Sequence, residues 1–203
     1  MDVIHYVMLY NENQQQLPKP KGADYGIIKG AYRVREPDSN DSPHVRILGS
    51  GPILQYALEA ASLLHSEHGV SSEVWSVTSY GELRREGLDS ERKNRLNPQK
   101  RTTSYVADCF GDTTPTIAVS DYIAAIPEMI QRWVGGTFTV LGTDGFGRSD
   151  TRENLRRFFE IDTESIIIAS LSALERAGEM PVGTVKETSK RMGVSLKRED
   201  KAE

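Results

Sequence analysis

The chain has 203 residues, 37% of them hydrophobic, and a formal net charge of -4 at neutral pH. This length suits one domain with a sizeable core, and the mild acidic balance argues against a nucleic-acid partner, which needs a basic surface. The single cysteine, Cys109, excludes an internal disulfide framework. With no signal-peptide pattern and no membrane-spanning apolar run, we expect a cytoplasmic protein with no membrane partner.

Residues 1–43 are expected to form an N-terminal arm and an interdomain linker. Val3 to Leu9 has the apolar composition of a strand. The stretch from Gln14 to Gly22 contains Pro18 and Pro20, which lack the amide that a strand ladder needs. The strand therefore cannot continue through this stretch.

The main domain is expected over residues 44–180 and begins with a strand around Val45 to Leu48. Gly49-Ser50-Gly51-Pro52 then turns into a helix, in which Ser50 or Gly51 is the predicted cap. Gly69 ends this helix. Its apolar residues recur at helical spacing: Ile53, Leu54, Ala57, Leu58, Ala61 and Leu64.

Further strands are predicted at Val74 to Val77, Thr116 to Val119 and Phe138 to Leu141, because each is short and apolar. The polar stretch from Arg84 to Ser104 is expected to include a broken helix. Alternating strands and helices predict an α/β fold with an open, mostly parallel sheet and helices on both faces. The polar and charged residues 181–203 are expected to form a C-terminal tail.

Three helices are predicted in the second half. Asp121 is the expected cap of the first, in which Pro127 either kinks the helix or marks its first turn. The second helix is predicted to begin at Asp150, which forms a reciprocal cap with Glu153. Ser165 to Ala177 contains a β-branched run that favours a strand, but its leucine spacing and terminal glycine favour the helix that we predict.

The turn between Leu141 and Thr151 carries the candidate site. Its glycines permit close backbone approach beside a large apolar group and charged side chains, so it is a candidate domain or subunit interface. The residues concerned are Asp144, Phe146, Gly147, Arg148 and Ser149. In the alternative, purely structural interpretation, Asp150 caps the next helix with help from Ser149, and Phe146 inserts into its own domain.

Other motifs favour ordinary structural roles. Gly49-Ser50-Gly51 resembles a phosphate-binding loop, but a third glycine is missing and Pro52 removes a donor, which disfavours an independent nucleotide-binding domain. His65 and His68 have a permissible metal-ligand spacing without further ligands, and Cys109 has no catalytic setting. A basic stretch is expected to be a solvated loop, with docking of an acidic partner as the alternative: Arg92, Lys93, Arg95, Lys100 and Arg101.

Several motifs, in order, resemble the C-terminal domain of the homodimeric thiamine-diphosphate-dependent E1 component of pyruvate dehydrogenase, in the transketolase group. They are Tyr10-Asn11-Glu12-Asn13, the connector from Gly22 to Tyr32, Leu48-Gly49-Ser50-Gly51, Trp75-Ser76-Val77-Thr78-Ser79, Glu82-Leu83-Arg84, Ser120-Asp121-Tyr122 and the segment from Leu141 to Arg156. The likeness fades after about Met180.

The resemblance implies a scaffold and dimer-supporting domain of an enzyme that decarboxylates pyruvate and transfers the acetyl unit to lipoyl groups. Thiamine diphosphate and Mg2+ would be held by the other E1 domains, because neither Gly111-Asp112-Thr113 nor Thr143-Asp144-Gly145 has the family's metal-binding pattern. The implied partners are the E1 catalytic domains, a second E1 subunit and the lipoyl-bearing acetyltransferase E2. No catalytic, cofactor or metal residue is expected here, and the chain alone is expected to be inactive. A separately encoded oligomerisation or regulatory module is the alternative.

Overall fold

The computed structural model describes Ile4, residues 12–39 and residues 43–194. Its centre is a five-stranded sheet in the order β1-β3-β2-β4-β5, formed by β1 (Ala31–Arg35), β2 (His44–Gly49), β3 (Ser71–Val77), β4 (Thr116–Val119) and β5 (Phe138–Leu141). Strands β2 to β5 are parallel and β1 is antiparallel to β3. The predicted open, mostly parallel α/β sheet is confirmed.

Helices cover both faces of this sheet, as predicted. They are α1 (Asp24–Lys29), α2 (Ile53–His68), α3 (Tyr80–Leu96), α4 (Tyr105–Phe110), α5 (Ala125–Glu128), α6 (Arg152–Phe158), α7 (Thr163–Ala177) and α8 (Thr184–Met192), with a 3-10 turn at Gln131–Trp133. Successive strand residues point to opposite faces. Ile47 and Ile117 pack with α2 and α7, whereas Leu48 and Ala118 pack with α3 and α4.

The N-terminal range supplies two elements that the sequence analysis did not predict. Helix α1 leads through Gly30 into β1, whose first residue pairs with Val77 of β3. Gly30 has a φ of 107°, and a side chain there would meet the Ser79 carbonyl oxygen at 2.5 Å, so this turn requires glycine. The strand predicted at Val3 to Leu9 falls, apart from Ile4, outside the described residues.

Two helix predictions in the middle of the chain are wrong in detail. Helix α3 is continuous over 17 residues, and its first turn is capped by Ser79, whose hydroxyl accepts from the Glu82 amide at 3.1 Å. Asp121 does not cap a helix, because α5 begins at Ala125. Pro127 lies in the first turn of that short helix, where its missing amide costs no hydrogen bond.

The helices after β5 begin differently from one another. Thr151, rather than Asp150, caps α6, since its hydroxyl accepts from the Asn154 amide at 3.3 Å. Asp150 instead accepts from the Thr151 amide and the Asn154 side chain. The predicted helix over the β-branched run is confirmed as α7, which Asp162 caps and Gly178 ends.

Helix α8 lies within the range expected to be a charged tail. Its N-terminus has no side-chain cap of its own, and the Glu175 carboxylate of α7 accepts from the Gly183 and Val185 amides at 3.0 Å each. These bonds lower the pKa of Glu175. Val185 and Met192 pack against the core, so α8 is docked on the domain.

Candidate domain interface

The candidate site lies at the carboxyl edge of the sheet, where the parallel strands β2, β4 and β5 end side by side at Gly49, Val119 and Leu141. Binding surfaces of open α/β folds lie at this edge. The loops that follow β4 and β5 span residues 120–124 and 142–151. We call the surface formed by these two loops the carboxyl edge.

Three hydrogen bonds join the two loops. The Thr143 amide donates to the Tyr122 carbonyl oxygen and the Thr143 hydroxyl to the Asp121 carbonyl oxygen, both at 2.9 Å. The Ala124 amide donates to the Asp144 carboxylate at 3.0 Å. The first part of the β5–α6 loop is therefore held in one shape.

Two glycines of this turn have different roles. Gly142 is buried, and a side chain there would meet the Ala124 amide nitrogen at 2.6 Å, so this position requires glycine for a close backbone approach. A side chain at Gly147 would meet nothing within 4 Å. The close approach that the sequence predicted for the turn is made at Gly142.

All five predicted interface residues are exposed. Phe146 is 77% exposed, so the alternative in which it inserts into its own domain is wrong. Arg148 lies with its guanidinium carbon 4.2 Å from the ring centre of Phe158, which connects the turn to helix α6. Asp144 is exposed but fixed by its bond to the other loop.

Two other exposed apolar side chains lie in the loop that is bonded to this turn. Of the nine large apolar side chains that are exposed in the described part of the chain, three lie in the loops after β4 and β5: Tyr122, Ile123 and Phe146. The sequence analysis did not identify Tyr122 as a surface residue, and the helix that it began at Asp121 would have included Ile123. Pro127 was the available signal, because a helix beginning near it leaves residues 122 and 123 in the loop.

The Gly49-Ser50-Gly51 turn and the start of α2 use several of their backbone donors within the protein. The Ser50 amide donates to the Val119 carbonyl oxygen at 3.3 Å, and the Leu54 and Gln55 amides donate to carbonyl oxygens of the turn itself. The Ser50 and Ser120 hydroxyls are hydrogen-bonded at 2.9 Å. An anion would have to displace these bonds, which supports the tight-turn interpretation over nucleotide binding.

The two histidines with metal-ligand spacing lie in the last turn of α2 and contact different partners. His65 lies 3.9 Å from the Asp38 carboxylate, and His68 contacts Arg191 of α8 at 3.1 Å. Across residues 12–39 and 43–194, no three histidine, cysteine, aspartate or glutamate side chains come together as a metal site. Burial raises the pKa of Cys109, which is the direction expected for an inert thiol.

The basic stretch is partly helical rather than a loop. Arg92, Lys93 and Arg95 occupy the last turns of α3, where Lys93 and Arg95 pair with acidic residues one turn earlier. Lys100 and Arg101 are exposed in the segment that follows. In the part of the chain that the structure describes, each helix is too short or too polar to cross a bilayer.

A buried ion-pair network on the same side of the sheet as α3 and α4 escaped the sequence analysis. Arg46 and Glu73 lie opposite each other on β2 and β3, both about 95% buried, and form a salt bridge. Arg46 also donates to both Asp112 oxygens, at 3.1 and 2.8 Å, and Arg33 reaches Glu73 at 3.0 Å. The Arg46 guanidinium lowers the pKa of Asp112.

Within its described residues, this chain has two segments that were compared with a diphosphate and magnesium site, and neither fits it. Both carboxylates of its Gly-Asp-Thr and Thr-Asp-Gly segments have internal partners, Asp112 with Arg46 and Asp144 with the Ala124 amide. A hard cation would have to compete with a nearly buried guanidinium for Asp112. Thiamine-dependent chemistry is therefore not assigned to these residues.

Comparisons with known proteins agree with this architecture. Residues 30–162 match the family model of the transketolase-like TK C-terminal domain. The chain is 46% identical over 196 residues to the pyruvate dehydrogenase E1 component of Pseudomonas aeruginosa and 42% identical over 181 residues to that of Escherichia coli, covering 95% and 88% of this chain. The first match continues past Met180, further than the motifs indicated.

The chain spans only about a fifth of the length of these relatives, 22% and 20%. In structure it resembles transketolase from Leishmania mexicana, with a TM-score of 0.51 and 21% identity over 80% of this chain and 21% of that one. This likeness shows the fold. The resemblance to the E1 C-terminal domain is confirmed, and the chain belongs to the transketolase-like TK C-terminal domain family.

Proposed function

We propose that this chain forms the C-terminal scaffold and dimer-supporting domain of a pyruvate dehydrogenase E1 component. The observation that carries the proposal is an exposed apolar side chain, Phe146, on a turn whose base is fixed by Thr143 and Asp144. Apolar groups that a rigid loop presents to solvent are typical of interfaces. The predicted interface residues Asp144, Phe146, Gly147, Arg148 and Ser149 would contact another E1 domain or subunit.

The complete enzyme would perform thiamine-diphosphate-dependent oxidative decarboxylation of pyruvate in the cytoplasm and transfer the acetyl unit to lipoyl groups of E2. The names of the relatives support this activity. The cofactor supplies the electron sink for decarboxylation, and residues outside this chain would bind it. The part played by this domain is to pack against the catalytic domains and the second subunit.

Calorimetric titration with thiamine diphosphate and Mg2+ tests the proposal that residues outside this chain bind the cofactor. We expect no saturable heat from the 203-residue chain, because its two candidate carboxylates are already paired. The full-length Pseudomonas aeruginosa E1 component is the positive control. Stoichiometric binding by this chain would mean that a cofactor site exists here and that the scaffold assignment is wrong.

A further inference from the structure

The stretch of residues 12–24, which we call the connector from here on, contacts the surface of two helices. Glu12 places a carboxylate oxygen 3.4 Å from Arg152 and 3.3 Å from Arg156, both on α6. Three residues later, the Gln15 carbonyl oxygen accepts from the Gln55 side chain of α2 at 3.0 Å. The connector is thus attached at two points to the folded domain.

Arg156 is the fixed partner in this cluster. Its side chain is only 14% exposed, its guanidinium carbon lies 4.7 Å from the ring centre of Tyr56, and it donates to the Tyr56 hydroxyl. Because a largely buried charge needs compensation, Glu12 has a well-defined electrostatic role beside it. An exposed pair of two flexible side chains would contribute much less.

Helix α6 is short, and its stability rests on contacts of this kind. It has seven residues, and none of them is buried. A helix of this length is not stable by itself, so contacts with the rest of the protein determine whether it forms. Among those contacts are the ones that Arg152 and Arg156 make with Glu12 and Tyr56.

Helix α6 and the proposed interface turn form one structural unit. Asp150 and Thr151 hold the first turn of α6, and Arg148 stacks on Phe158 in its last turn. A change in the position or stability of α6 therefore reaches the turn that carries Phe146. Glu12 contacts this unit from the connector side.

The cleft around Arg152 and Arg156 has a volume of about 450 Å3. Its lining favours binding of a carboxylate from the same chain over binding of a free anion from solution. Besides the arginines it is lined by four further acidic side chains, Glu59, Glu153, Asp162 and Glu164. Their negative charge disfavours a soluble anion, whereas Glu12 is delivered by its own chain at high local concentration. The cleft is therefore better suited to the Glu12 carboxylate of the connector than to a free anion.

We infer that Glu12 is a positioning residue that latches the connector onto Arg156 and Arg152 of α6 and thereby completes the ordering of the interface turn, residues 143–149, whose first part Thr143 and Asp144 already hold. The connector then couples the position of the preceding segment to the shape of the carboxyl edge. The use of this coupling in an E1 assembly rests on the function proposed above. The coupling itself is a property of this chain and is measured in it alone.

Hydrogen exchange by mass spectrometry on the 203-residue chain tests the latch. Glu12→Gln removes the charge and keeps the size of the side chain, and we expect the amides of residues 143–157 to exchange at least about threefold faster. Asp24→Asn is the matched control, because Asp24 pairs with Lys19 within the same connector at 2.6 Å. It should leave exchange at residues 143–157 unchanged.

Unchanged exchange at residues 143–157 in Glu12→Gln would overturn the latch, as would an equal acceleration in Asp24→Asn. Sedimentation equilibrium on the same variants and on Phe146→Ser separates this result from the proposed function. Faster exchange in Glu12→Gln supports the latch even where association is unaltered. Loss of association in Phe146→Ser supports the proposed interface and does not test the latch.

Discussion

The Asp144 carboxylate accepts a hydrogen bond from the Ala124 backbone amide at 3.0 Å and so ties the loop after β5 to the loop after β4. Asp144→Ala leaves this amide without its acceptor, and we expect the free energy of unfolding to fall by about 1 kcal/mol. Asp144→Asn keeps an oxygen acceptor and should lose less. Urea unfolding measures both variants, and equal losses would argue against this bond as the cause.

Gly142 tests the close approach of the same two loops. In Gly142→Ala, the new methyl group meets the backbone of Ala124 at 2.6 and 2.8 Å, and the free energy of unfolding should fall by about 1–3 kcal/mol. Gly147→Ala, in open space, should change it by less than about 0.5 kcal/mol. Similar losses at the two positions would show that the loops are not held as described.

Phe146 tests the proposed interface in the isolated chain. Because its side chain is 77% exposed, Phe146→Ser should leave the unfolding midpoint nearly unchanged but weaken self-association at least about tenfold. Leu96→Ser is the matched control: Leu96 is 69% exposed at the far end of α3, away from the carboxyl edge. Sedimentation equilibrium compares the dissociation constants, and equal values for the two variants would remove Phe146 from the interface.

Arg46 and Glu73 test the buried ion pair. Glu73→Leu removes one of the two carboxylates that pair with the nearly buried Arg46, the other being that of Asp112, and should lower the free energy of unfolding by about 3 kcal/mol. The double variant Arg46→Met with Glu73→Leu should recover much of that loss, because it removes the uncompensated charge. Chemical denaturation of four proteins, the parent chain, Arg46→Met, Glu73→Leu and the double variant, forms a cycle, and additive losses would indicate that the pair is not coupled.

His44 makes the stability of the domain depend on pH. Burial lowers the pKa of His44 below its ordinary value of 6.5. As the pH falls, His44 is therefore protonated in the unfolded chain before it is protonated in the folded chain. The contribution of neutral His44 to the free energy of unfolding is complete above pH 6.5 and declines as the pH falls towards the folded-state pKa. His44→Gln should give a shallower decline in unfolding free energy between pH 7.5 and 5, and an unaltered slope would exclude this histidine as the source.

Periodicity and turn chemistry in the sequence predicted the parallel strands and both long core helices. They succeeded at α2 and α7 because Gly69 and Gly178 both end apolar helical repeats in the left-handed conformation. Edge strand β1 was not predicted, since it has only five residues, its register shifts between Arg33 and Arg35, and its partner β3 is about forty residues away. Pairing across such a distance leaves no local signal.

The candidate site was predicted only in part, because some of its contacts also join residues that are distant in the sequence. The glycines and charges of the turn identified Asp144, Phe146 and Arg148 as exposed, but the bond from Ala124 to Asp144 joins residues twenty positions apart. The Arg46–Glu73 pair was hidden because charged residues within apolar strands indicate burial only when their partner on the next strand is known.

The most direct test replaces the matching region of the Pseudomonas aeruginosa E1 component with this chain and measures pyruvate-dependent acetyl transfer together with the dimer dissociation constant. We predict an active dimer that Phe146→Ser weakens at least about tenfold, whereas Leu96→Ser leaves both measurements unchanged. A chimaera whose activity and dimerisation respond identically to these two substitutions would contradict the claim that the carboxyl edge of this domain supports the E1 assembly.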